Sequence, residues 1–287
     1  MNYRHAFHAG NHADVLKHLS VVAILQHLTR KDSPFFALDT HAGRGMYSVV
    51  AAQAQKTGEA EAGIGRLLAE APNDPLAHDY LKAVKAARAE LKNTTVYPGS
   101  PWFLLQAMRQ QDRLALTELN PEEYTALESN FRHDRRVVTS LADGYAALRS
   151  QLPPRTGNVK IARGLVLIDP PFEAQLAEFD TIIAGLRSAL ERWPLATYAV
   201  WYPIKLRRSI QPFLRRAAAL PVRNALNAEL LVRNDDSPLR MNGSGMLILN
   251  APYQLDTQLR ASLSKIAPIL ADGPGATSSV SWIVEPA

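Results

Sequence analysis

Phe35–Asp39 (FFALD) is a short apolar run that stops at an acid and passes at once into Thr40-His41-Ala42-Gly43-Arg44-Gly45. An uninterrupted apolar run of this length, bounded by a glycine turn, is the mark of a strand buried on both faces, which is a parallel strand. The pattern recurs along the chain. Arg113–Leu119 (RLALTEL), a stretch within Arg135–Gly144 (RRVVTSLADG), Gly164–Phe172 (GLVLIDPPF) and Thr197–Ile204 (TYAVWYPI) are further runs. Helical stretches such as Pro121–Arg132 and Phe179–Arg192 lie between most of them. Strands alternating with helices predict a parallel sheet wrapped by helices, an α/β fold. Asn227–Asn234 and Gly245–Pro252 have no convincing helix between them, so a closing antiparallel pair is expected, and Ser279–Val284 is a candidate edge strand. Residues 48–94 carry helical character only, with breaks at Gly58, Gly63 and Ala71–Pro75, and read as a helical insertion between residues 1–47 and 95–287.

At the other end of the scale, residues 1–10 read as an exposed tail ended by Gly10, with Asn11 capping a helix from His12 to about Leu28. On that helix Val15, Leu19, Val22 and Leu25 form one stripe and Asp14, Lys17, His18 and Val21 another. No apolar run approaches the ~20 residues that span a bilayer, and the polar, histidine-rich start is unlike a signal peptide, so a soluble cytoplasmic protein is expected. The absence of cysteine excludes a disulfide scaffold, a cysteine nucleophile and a thiolate metal site. His5, His8, His12 and His18 invite a metal reading, but Gly10 and Asn11 interrupt any helix that would present them together, and no metal is expected. The formal net charge of +5 permits a polyanionic partner without requiring one.

Four features carry chemistry. The Gly43-Arg44-Gly45 turn after a strand lets backbone approach a ligand and opens free N–H groups to it, although the third glycine of a dinucleotide fingerprint is missing near Ser48. Glu118 ends the next strand, where an acid accepts from ribose hydroxyls; its other reading is a cap for the helix after Pro121. Asp143-Gly144 follows a strand as well, and reads either as an acceptor for an adenine amine or as a plain turn. Asp169-Pro170-Pro171-Phe172 is the most informative. Two prolines lock the backbone and leave the Pro170 carbonyl as a fixed acceptor beside the Asp169 carboxylate, and Phe172 offers a flat face. Two acceptors and a ring suit a planar amine such as adenine N6. Tyr97–Pro101 (YPGSP) reads as a turn with an N-capping Ser100, a ligand contact, or both. Trp201 and Tyr202 read as core or pocket wall, and the arginine pairs at 132/135/136, 207/208 and 215/216 as solvated faces or phosphate contacts.

The Asp-Pro-Pro-aromatic motif resembles that of amino-methyltransferases acting on adenine N6, cytosine N4 or glutamine N5. A closer resemblance runs through YRHAFHAGNHADVLKH (3–18), LDTHAGRG (38–45), YPGSP (97–101), LTELNP (116–121), ADG (142–144), IDPPF (168–172), WYP (201–203) and SWIVEP (281–286). Over essentially the whole chain these look like the bacterial 23S rRNA adenine-N6 methyltransferases of the RlmJ type. The resemblance implies a Rossmann-like class I fold dependent on S-adenosylmethionine, with a mixed seven-stranded sheet, a small helical insertion and an N-terminal tail. It implies that His18, His41, Gly43, Ser100, Glu118, Asp143, Gly144 and Asp169 line the donor pocket. Asp169, Pro170 and Phe172 would hold the target amine and base, and Tyr3 and His5, with Lys17, would belong to a tail closing over the base and the donor, with 23S rRNA as partner and a monomer as the expected state. Phe172 stands where the family often has tyrosine, so a hydroxyl bond is lost while stacking is kept. The rivals are a DNA adenine or glutamine methyltransferase, and an assembly factor that binds rRNA without catalysis.

Overall fold

The structure is a computed structural model and describes residues 8–49, 58–157, 159–173, 175–236 and 241–286. Its strands are β1 (Phe35–Asp39), β2 (Met46–Ser48), β3 (Val96–Pro98), β4 (Arg113–Glu118), β5 (Val137–Leu141), β6 (Arg155–Thr156), β7 (Val159–Lys160), β8 (Arg163–Ile168), β9 (Thr197–Ile204), β10 (Ala225–Leu231), β11 (Gly243–Leu249) and β12 (Thr277–Val284). The helices are α1 (His12–Thr29), α2 (Arg66–Glu70), α3 (Pro75–Glu90), α4 (Ser100–Gln106), α5 (Pro121–Phe131), α6 (Gly144–Ser150), α7 (Gln175–Arg192), α8 (Arg207–Ala218) and α9 (Leu255–Ile269).

One sheet organises the molecule, in the order β12-β10-β11-β9-β8-β1-β4-β5. The five strands from β5 to β9 run parallel, and β11 turns antiparallel against β9 and β10. The sheet therefore has eight strands rather than seven: the edge candidate near the C-terminus pairs antiparallel with β10 and closes that side. Alternation along β1 sends Phe35 and Ala37 to one face and Phe36 and Leu38 to the other, each into its own buried cluster. The first cluster takes in α1, α3, α4, α5 and α9; the second takes in α6, α7 and α8. From β1 the chain steps outward to β4 and β5, then returns to β8 on the opposite side of β1. The crevice at the carboxyl ends of β1 and β8 is the place where such a reversal leaves room for a ligand.

The segment between β1 and β4 is more than helix. Its neck is the antiparallel ladder of β2 and β3, too short to show in the sequence, and a π-helical turn (Glu61–Gly65) runs into α2. Ile64, Leu67, Leu76, Tyr80, Leu81 and Val84 pack into the same cluster as α1. Asp74 caps α3 at Pro75, where the sequence breaks. With α3 and its neighbours on one side and the sheet on the other, α1 is buried nearly all round, so its polar stripe of Asp14, Lys17 and His18 is interior rather than solvated. No described helix is long and apolar enough to cross a membrane.

Candidate active site

Asp39 ends β1 and is fully buried, in register with Leu116 of β4 and Leu167 of β8. The turn that follows is pinned to its neighbours: Thr40 N donates to Leu167 O at 3.1 Å and Ala42 N to Thr117 O at 2.9 Å. Gly43 (φ +57°) and Gly45 (φ +77°) take the left-handed conformation that this turn demands. The Glu118 carboxylate accepts from Gly43 N at 2.8 Å and from Asn120 N at 2.7 Å, so the acid lying 75 residues after Gly43 closes directly on the glycine turn. Asn120, not Glu118, caps α5. Burial pushes the Glu118 carboxyl up, against those backbone donors.

Asp143 caps α6, accepting from Ala146 N at 2.7 Å, and also lines the crevice. Gly144 lies so close to the β1 turn that a Cβ there would come within 2.3 Å of the Thr40 carbonyl oxygen. Ser100 opens α4 but does not cap it; the cap is Gly99, which places Ser100 at the first helical position, on the cavity wall. His41 sits edge-on to Tyr145, with Nδ1 2.8 Å from the Thr40 hydroxyl, and burial pushes its pKa down to about 4, so it is neutral near pH 7.

These groups enclose a cavity of about 360 Å³ lined by Lys17, His41, Gly43, Tyr47, Ser100, Glu118, Asn120, Glu123, Asp143, Gly144, Tyr145, Asp169, Pro170, Pro171 and Glu178 among others. Five of the lining residues are acids. Glu123 is paired with Arg44 at 2.7 Å and Glu178 accepts from the Tyr145 hydroxyl at 2.5 Å. Among the described residues Glu118 and Asp143, by contrast, accept only backbone N–H groups. Glu123, Tyr145 and Glu178, on helices with no motif of their own, and Tyr47, on the three-residue strand β2, carried no signal in the sequence.

A second cavity of about 560 Å³ adjoins the first, and Lys17, Asp169 and Pro171 line both. Lys17 is buried with Nζ 2.8 Å from Asp14 Oδ1 and 2.5 Å from Asp169 Oδ2. Burial opposes its charge, but the two carboxylates outweigh burial and hold its pKa well above the ordinary lysine value. Lys17 is thus a fixed cation and no base. Among the described residues Lys17 alone donates to Asp169, which leaves Oδ1 as an open acceptor. Phe172 faces the second cavity and not the first, braced edge-on by Phe179 and Trp201 at 5.5 Å each. Its φ of +50° is a left-handed conformation that costs a non-glycine residue about 1–2 kcal/mol, the kind of local strain that gathers at functional sites. Trp201 is wall, as expected, while Tyr202 is core, bonded to Asn227 and Glu229.

His18 is not on either cavity wall. One residue on from Lys17, it points about 100° round α1, stacking on Phe103 at 4.7 Å with Nδ1 2.7 Å from the Tyr97 hydroxyl. Tyr3 and His5 lie outside the described residues. Among the described residues no three His, Asp or Glu side chains are grouped to hold a metal ion.

Comparison with known proteins agrees with this geometry. A family model described as "Ribosomal RNA large subunit methyltransferase D, RlmJ" matches residues 32–284. The ribosomal RNA large subunit methyltransferases J of Haemophilus influenzae and Escherichia coli are each 38% identical to the chain, over 283 and 284 residues and 99% of both partners. A crystal structure from Legionella pneumophila superposes with a TM-score of 0.84 at 31% identity, covering 96% of this chain and 98% of that one. With a family match across most of its length and relatives this similar end to end, the chain belongs to the RlmJ family of ribosomal RNA large subunit methyltransferases.

Proposed function

We propose that this chain methylates the N6 amine of an adenine in 23S rRNA, with S-adenosylmethionine as donor. The observation that carries the reading is the position of Asp169: it stands in the wall shared by an acid-lined cavity and an aromatic-walled one. The residues present suit the donor. A cavity rich in carboxylates, three of them (Glu118, Asp143 and Glu178) without a cationic side-chain partner among the described residues, favours a ligand that carries a sulfonium and an ammonium group. Glu118 would take the ribose hydroxyls, Asp143 the adenine amine, and the Gly43 turn and Gly144 the close backbone approach; His41 and Ser100 complete the wall. Bound there, the donor supplies an electrophilic methyl group.

The rest is work for the chain. Asp169 Oδ1 and the Pro170 carbonyl accept the two N–H bonds of the target amine and turn its lone pair toward the first cavity. Lys17 locks the carboxylate through Oδ2, so the acceptor is already oriented when the base arrives. Phe172 provides the stacking face from the second cavity. Alignment is the main source of rate, because holding the amine in line replaces a bimolecular search. No strong base is needed, since the methylated amine loses its proton readily to water. A base in a loop or bulge would cost least to extrude.

Neither a DNA or glutamine methyltransferase nor a non-catalytic assembly factor is favoured, because the relatives that match over 99% of the chain bear the name of ribosomal RNA methyltransferases. The test is incubation of unmodified total RNA with methyl-labelled donor, followed by nucleoside mapping. Label in N6-methyladenosine of the large-subunit RNA is expected. Asp169→Ala should lower kcat by about a thousandfold or more while RNA binding stays within about threefold. Turnover retained in that variant removes Asp169 from the reaction.

A further inference from the structure

The start of the insertion lies directly against the start of α1. Ile64 N donates to Gly10 O at 2.8 Å, and a Cβ on Gly63 would come within 2.1 Å of the same oxygen, so the two backbones touch. Beside this contact the Glu59 carboxylate accepts from Asn11 Nδ2 at 2.8 Å and lies 3.0 Å from His8 Nδ1. Asn11 is the cap of α1, and its other amide atom, Oδ1, accepts from Ala13 N and Asp14 N. One amide therefore joins the insertion to the first turn of α1. Asp14 continues the series: Oδ2 accepts from Gly10 N at 2.8 Å and Oδ1 pairs with Lys17, which pairs with Asp169. An unbroken chain of polar contacts runs from Glu59 to the acceptor corner along the second cavity, whose wall includes Glu59, Asn11, Asp14, Lys17 and Asp169.

We propose that Glu59 is a positioning residue for methyl transfer: it fixes Asn11, and through it the turn of α1 that carries the Asp14–Lys17 pair orienting Asp169. The proposal rests on the adenine-methylating reading above. Glu59 does not line the donor cavity, so its removal acts on catalysis and not on donor affinity. Buried polar chains of this kind are oriented as a unit, and loosening one end misplaces the other.

The experiment measures kcat, KM for unmodified 23S rRNA, donor dissociation constant and melting temperature for the full-length protein and three variants. Glu59→Ala should lower kcat about tenfold with the donor constant within about twofold of the parent. Glu59→Gln keeps an oxygen for Asn11 Nδ2 and should recover most of that loss. Glu70→Gln removes the same charge from an exposed site of the insertion and should leave all four quantities unchanged. An unaltered kcat in Glu59→Ala overturns the proposal, as does a rise in KM alone, which would make Glu59 an RNA contact. Parallel losses of donor binding, kcat and melting temperature overturn it too, since they signify a merely structural role. If Glu59→Ala is insoluble, Asn11→Asp keeps the helix cap while setting a carboxylate against Glu59, and it must show the same fall in kcat. A parent protein that fails to label N6-methyladenosine refutes the underlying reading instead.

Discussion

Asp39 has an unusual position for a carboxyl: fully buried at the end of the central strand, accepting from His41 N at 3.2 Å. Burial pushes its pKa up to about 7, Asp169 adds to the rise, and Ser100, His41 N and Lys17 pull the other way. An acid whose folded pKa is raised binds its proton more tightly in the folded state. Its effect on stability is most favourable below about pH 4, is lost progressively as pH rises to about 7, and is constant above that. The span corresponds to a loss on the order of 4 kcal/mol. Asp39→Asn keeps an acceptor for His41 N and cannot ionise, so its melting temperature should gain on the parent between pH 5 and pH 8. An equal difference at both pH values would show that Asp39 does not titrate in this window. Gly43, Glu118, Asp143 and Asp169, which line the first cavity, stood out in the sequence because each ends a strand or follows one, where an acid or glycine contrasts with an apolar run. Asp14 and Glu59 were not legible as site residues. Their roles arise from contacts with Lys17 and Asn11 that no spacing encodes.

Among the elements, the strands buried on both faces were read almost to the residue: β1 and β9 fall where the sequence puts them, because a continuous apolar run has no other place to go. The antiparallel strands β10 and β11 begin two residues earlier than expected, at Ala225 and Gly243. For β11 the two residues missed are Gly243 and Ser244, small or polar yet buried, so hydropathy misses that boundary. The ladder of β2 and β3 was invisible because three residues carry no period. Helix α6 shows how close packing between elements shapes the donor cavity. A methyl at Gly144 would meet the Thr40 carbonyl at 2.3 Å and His41 Cε1 at 2.9 Å, and backbone cannot yield as a side chain does. Gly144→Ala should therefore displace the β1 turn, destabilise the protein by about 1–3 kcal/mol and weaken donor binding about tenfold. Calorimetric titration with S-adenosylhomocysteine checks it; parental affinity together with parental melting temperature would mean that the approach of α6 to the turn is not what fixes the cavity.

At the scale of the whole molecule the question is which cations meet RNA, and the sheet divides them. Parallel strands place the carboxyl ends of β1, β4, β8 and β9, with both cavities, on one side, and the helices descend from there to the other. Arg207 opens α8 just beyond β9, but it is bound to Glu229 and Asp235, and Arg216 is bound to Asp180. Arg136 is bound to Asp134. Lys205 and Arg208 are exposed on the cavity side with no carboxylate partner among the described residues, and Lys205 lines the second cavity. Arg132 and Arg135 are exposed as well, but they follow α5 and precede β5, at the opposite end of the strands. The net charge of +5 is too small to bind RNA by bulk attraction, so placement decides. A phosphate contact releases counterions and shows itself in the salt dependence of binding. Lys205→Ala with Arg208→Ala should weaken binding of an unmodified rRNA fragment and reduce the slope of log affinity against log salt by about 1 per cation removed. Arg132→Ala with Arg135→Ala removes the same charge from the far side and should leave the slope as it is. If both pairs flatten the slope equally, RNA responds to overall charge and the sheet does not sort its contacts. If only the far pair does, the strand has been placed on the wrong face of the molecule.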